Sequence, residues 1–208
     1  SWGPSQDALF FPNCSYWDKN RVFKKDIERK GSIFEKWGIS EDPQTQQKVE
    51  KILRRIVTSP MLKGEVSQSF WLFIIRKTWT NHQAFLAGKK EDDKCIFCKK
   101  VEDFEHMDVC PFYLELIGNT LHMYEGSIIK TFLKILNSQN SEIIEKEVFL
   151  LAITYRKGLN CRYKQENSPN QSIPHTILLS HAAQSAIVEW QLSTLPNDTS
   201  YGRGSSAI

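Results

Sequence analysis

Between Ser40 and Pro60 the apolar residues Val49, Ile52, Leu53, Ile56 and Val57 recur at three- and four-residue intervals, the spacing of one stripe on an α-helix. Ser40 suits the cap, Pro43 the first turn, and Ser59-Pro60 ends the pattern. The opposite face carries Lys48, Lys51, Arg54 and Arg55, so this basic amphipathic helix either shows its charges to solvent or lays them along phosphates. From 66 to about 80 the pattern changes. Phe70-Trp71-Leu72-Phe73-Ile74-Ile75 is apolar almost all round, which predicts a deeply buried helix, with a strand as the competing reading. After Pro111 the helical period returns at about 112–123, at 127–136 and at 141–164, where Ser141 is a candidate cap. A last helix is expected over 173–190, beginning at Pro174.

These elements, with Cys95, Cys98, His106 and Cys110 clustered between them at metal-ligand spacing, predict a mainly α protein, a helical domain stapled by one zinc knuckle. It is organised as an amino-terminal helical and irregular segment (1–65), a helix plus knuckle (66–124), a carboxy-terminal helical segment (125–195) and a disordered Gly/Ser-rich tail (196–208). The opening stretch to about Ser40 is aromatic-rich and irregular, with a basic segment over 19–30.

Composition narrows the function classes only modestly. With 208 residues, 40% hydrophobic and 25% charged, the chain can bury a real core. No apolar run approaches the length of a membrane span, and no membrane partner is expected. A net charge of +3 and a pI near 8.5 are milder than dedicated nucleic-acid modules show. Nothing at the start reads as a secretory leader, so the cysteines are expected to be thiols in a reducing cell, nuclear or cytoplasmic. Because the chain begins at Ser1, two readings stay open, the tail of a longer product or an excised piece.

The most specific chemistry lies in Cys95-Ile96-Phe97-Cys98, His106 and Cys110, the spacing C-x2-C-x7-H-x3-C. A CxxC turn can aim two thiolates at one cation, and His106 and Cys110, four residues apart, would share one face of an α-helix. Three thiolates and one imidazole fill a tetrahedron, predicting one structural Zn2+ with no position left for a catalytic water. The competing reading is a set of buried cysteines beside an unrelated histidine. A thioredoxin-like redox pair would need a βαβ context that the pattern does not offer.

The segments Asp93 to Cys98, Glu102 to His106 and Val109-Cys110-Pro111 resemble the zinc-binding segment found downstream of the polymerase in reverse transcriptases of non-LTR retrotransposons. The stretch from Phe70 to "NHQAFL" is similar to the helix that runs into that segment, and about fifty residues carry the resemblance. It implies a carboxy-terminal region that grips template RNA or target DNA beside the polymerase part of the same polyprotein. No catalytic residue of that family is carried over. The polymerase needs paired aspartates holding Mg2+, and the sole Asp-Asp, Asp92-Asp93, sits in a charged loop; the nuclease would need a Pro-Asp, which the chain lacks. The piece is therefore read as non-catalytic.

Between Lys89 and Cys110 five lysines face seven acids. Glu102, Asp103 and Glu105 are assigned to a helix N-terminus, where they suit the dipole. That leaves Lys99, Lys100 and Phe97 as candidate contacts to RNA or single-stranded DNA, with help from Lys51, Arg54 and Arg55. The alternative is a zinc-stapled helical module that binds protein.

Overall fold

The computed structural model describes residues 32–39, 42–122, 126–137, 141–167 and 173–194. The expectations for the opening aromatic stretch, the basic segment 19–30, Ser40 as a cap and the tail from 196 fall outside these residues. The described chain is mainly helical, with eight α-helices and no strand. It divides into two compact units, Ser1–Thr58 and Ser59–Ile208.

In the first unit, α1 (Ser32–Lys36) is a single helical turn inside a stretch expected to be irregular. Gly38, at φ +60°, stops it, with Ile39 N–H reaching the Phe34 carbonyl at 2.8 Å. The second helix, α2 (Pro43–Thr58), has Pro43 in its first turn as the sequence suggested. Its cap is Asp42, whose carboxylate accepts from Thr45 N–H and Thr45 Oγ1, both at 2.8 Å, and these bonds hold its pKa below the ordinary value. Val49, Leu53 and Ile56 are buried and Ile52 is half-buried, as the stripe requires.

The second unit contains α3 (Gly64–Ile74), α4 (Asn81–Leu86), a 3-10 turn (Glu105–Asp108), α5 (Pro111–Thr120), α6 (Ile128–Asn137), α7 (Ser141–Asn167) and α8 (His175–Thr194). The helix expected over 66–80 is shorter and broken. Arg76 takes a left-handed φ of 54°, its N–H bonds to the Phe73 carbonyl, and Lys77 N–H bonds to that of Leu72. This closes a Schellman turn on a residue that is not glycine. The apolar α3 is buried as its composition demanded, and each fully buried aromatic on it contributes about 1.5–3 kcal/mol.

The long α7 is the organiser: α3, α5, α6 and α8 all pack against it. Phe70, Phe73, Phe132 and Tyr155 form an aromatic cluster between α3, α6 and α7. Gly158 lets α7 approach α5 closely, since a Cβ there would stand 2.8 Å from the Tyr113 ring. Helices on both sides of residue 124 thus share one core. Among the described residues no helix is long and apolar enough to cross a membrane.

Candidate metal centre

The CxxC pair lies on a small hairpin between α4 and the 3-10 turn. Lys94 and Val101 form an isolated antiparallel bridge, Cys95 N–H donates to the Lys100 carbonyl at 2.7 Å, and Lys99 N–H to the Cys95 carbonyl at 2.9 Å. Closing so tight a turn drives Lys99 to φ 64°, a left-handed conformation that favours glycine.

His106 arrives differently from expectation. It sits in the 3-10 turn, and Cys110 adopts an extended φ of −74° and ψ of 119° just before α5. No α-helix links the two. Pro111 disfavours helical backbone at Cys110 and is itself well placed at the start of α5, so the His-x3-Cys segment becomes a turn followed by a cap. The turn still closes, because Cys110 N–H reaches the His106 carbonyl at 2.9 Å. Asp103 holds its entry by accepting from His106 N–H at 2.7 Å.

The result is one cluster. The ligand atoms of Cys95, Cys98, His106 and Cys110 all lie within 4.8 Å of one another and could hold a single metal ion. Cys95, His106 and Cys110 are buried, and Cys98 is half-buried. Cys95 Sγ and Cys110 Sγ are 3.9 Å apart, and Cys98 Sγ is 3.3 Å from His106 Nε2. The hydrogen bond to Cys110 and then burial push the Cys95 thiol up to about 12. The same bond lowers Cys110, helped by the first-turn amides of Tyr113 and Phe112. Binding a cation requires these thiols as thiolates, so uptake releases protons.

The nearby candidates for nucleic-acid contact separate. Lys99 and Lys100 are exposed at the tip of the hairpin. Phe97 is not available for a base: it is 8% exposed, stacked on Phe112 at a centroid distance of 3.8 Å, and edge-on to Tyr113 and His175. The CxxC turn points its apolar side into the core. Lys51, Arg54 and Arg55 are exposed on α2, within the other compact unit, and Arg54 pairs with Glu50 at 3.1 Å.

Of the three acids assigned to a helix start, Asp103 and Glu105 do lie at the entry and first turn of the 3-10 helix, and Glu102 departs from that assignment. Glu102 is buried and bonds to Arg162 Nη1 at 2.6 Å and to Asn81 at 3.1 Å. Burial raises its pKa, while Arg162 works against that rise. Glu105 is exposed and pairs with Arg76, whose guanidinium lies over the Phe104 ring. In the charged loop, Asp93 pairs with His82 at 3.1 Å, and Asp92 accepts from Lys94 N–H. Sequence reasoning missed Glu102 and Arg162 as partners, because 60 residues separate them.

In comparisons with protein-family models, with curated proteins and with solved structures, nothing matches this chain.

Proposed function

We propose that this chain is the carboxy-terminal zinc-knuckle region of a non-LTR retrotransposon reverse-transcriptase-like protein, and that it grips RNA or single-stranded DNA. The observation that carries this reading is the closed Cys3His cluster, together with the two exposed lysines on the hairpin that the cluster holds. Zinc fits the donors: a tetrahedron with Zn–S of ~2.3 Å separates its sulfurs by ~3.8 Å, against 3.9 Å between Cys95 and Cys110. All four positions are filled, so the ion is structural and the region has no catalytic role of its own. The resemblance of the knuckle to that family supplies the class of partner, including a polymerase part in the same polyprotein. Lys99 and Lys100 supply the phosphate contact, and Lys51, Arg54 and Arg55 add a second basic element on α2. The compartment that follows is nuclear or cytoplasmic.

The test is an anisotropy titration of labelled RNA and single-stranded DNA across a range of salt. Phosphate contacts make affinity fall steeply with salt, and Lys99→Glu with Lys100→Glu should flatten that slope by roughly one and a half units. Absence of binding at low salt, or binding indifferent to this pair, overturns the reading. The second reading, a helical module that binds protein, draws on two observations. Phe97 is engaged in the core, and Ile177, Val188 and Leu192 are exposed apolar residues on α8.

A further inference from the structure

The hairpin that carries Cys95 and Cys98 is short. It has one bridge, Lys94 with Val101, and is closed at its base by Glu102 N–H donating to the Asp93 carbonyl at 2.8 Å. Two paired strands are marginal by themselves, so the geometry of this hairpin depends on what holds its two ends. The ligand cluster holds the tip. At the base stands Glu102, four residues from both Cys98 and His106, with its carboxylate facing Arg162 of α7.

That pair is deeply buried: both side chains are 4% exposed. Besides Glu102, Arg162 meets the Trp79 carbonyl at 3.3 Å and the Tyr163 ring at 5.1 Å. Its Nε is 3.5 Å from Glu166, an ion-pair distance rather than a hydrogen bond. Glu166 is already shared with Lys90 at 2.9 Å and Asn81 at 3.2 Å. A buried guanidinium that loses its main carboxylate keeps only the longer contact to Glu166, which Lys90 shares, and is left poorly compensated in a packed core.

We propose that Arg162 is a positioning residue for the metal centre, acting through Glu102, and that metal occupancy and docking of the carboxy-terminal part of α7 with α8 form one coupled equilibrium. It rests on the metal-binding part of the function proposed above and not on nucleic acid. When the metal leaves, the hairpin loosens, Glu102 loses its place, and the stretch of α7 around Arg162 moves towards water. The effect reaches the first turn of α8, where the exposed His175 packs edge-on to Phe97 of that hairpin at 5.2 Å. Coupling of two equilibria is reciprocal. Arg162, which contacts no ligand atom, therefore sets metal affinity.

Hydrogen exchange of the full chain, with Zn2+ and after chelation, reads the coupling directly. Chelation should speed exchange over 159–167 and the starts of α6 and α8 together with the knuckle, while the amino-terminal part of α3 keeps its protection. Competition for Zn2+ against a chromophoric chelator supplies the second readout. Arg162→Met should weaken Zn2+ binding about 10- to 100-fold, the range for residues supporting a metal's ligands, but less than twofold when Glu102→Met is already present. If 159–167 stays protected while the knuckle opens, or if Arg162→Met weakens the site equally in both backgrounds, the coupling is overturned. Should Arg162→Met fail to fold, exchange in the unaltered chain decides alone. A chain that takes up no zinc overturns the metal reading and this inference together; zinc uptake with unchanged exchange overturns only the inference.

Discussion

The two faces of the knuckle differ in everything except the chain that joins them. Inward, Phe97 stacks on α5, Glu102 pairs with α7, Phe104 lies against Phe73 of α3, and Asp108 accepts from Ile129 N–H at the start of α6. Outward, Lys99, Lys100 and Val101 are exposed on one small turn. Adjacent residues thus take opposite positions: the inner face is a structural part of the helical core, and the tip is exposed, where the proposed recognition would take place. In such a unit, stability and binding should be separable by substitution.

The largest effect should follow from removing the metal. If the cluster holds the proposed structural zinc, Cys98→Ser with Cys110→Ser should cost on the order of 5 kcal/mol or more, because such an ion contributes its binding energy to folding. Calorimetry should show the midpoint falling further than for any single core truncation. On the inward face, Phe97→Ala should cost about 3 kcal/mol, lowering the midpoint by roughly 6–12 °C. It should leave nucleic-acid affinity within twofold at a temperature where the variant is folded. A large affinity loss without a stability loss would reverse the assignment of faces.

Away from the knuckle, Gly158→Ala tests how tightly α7 seats on α5. The clash with Tyr113 opposes the helix-propensity gain, and a net loss of about 1–2 kcal/mol is expected in denaturant unfolding. The smallest effect on stability belongs to the outward face. Lys99→Gly removes a side chain from a left-handed position and should gain about 1 kcal/mol. It should also flatten the salt dependence of RNA binding by about 0.7 units. A variant both more stable and weaker in binding would sharpen the contrast between the faces.

The helices were legible where a local period governs them. The α2 stripe, the return of periodicity after Pro111 and the long segment beginning at Ser141 need no distant partner to be read. The cluster of Cys95, Cys98, His106 and Cys110, which could hold one metal ion, was legible because residue type and spacing together carry metal chemistry. What escaped depends on geometry between neighbours or on distant contacts. The end of α3 was hidden because Arg76, not glycine, takes the left-handed position. His106 and Cys110 were placed on an α-helix because a four-residue spacing fits one, but Pro111 decides the backbone before it. Phe97 and Glu102 were read from the knuckle alone, whereas Phe112 and Arg162 determine what they do.

The central claim is that these four side chains form one closed metal centre on which both faces depend. Elemental analysis of the purified chain, with the Cys98→Ser, Cys110→Ser variant beside it, tests this most directly. The account predicts one equivalent of zinc per chain and none in the variant. Less than half an equivalent in the unaltered chain, or full retention in the variant, would contradict it.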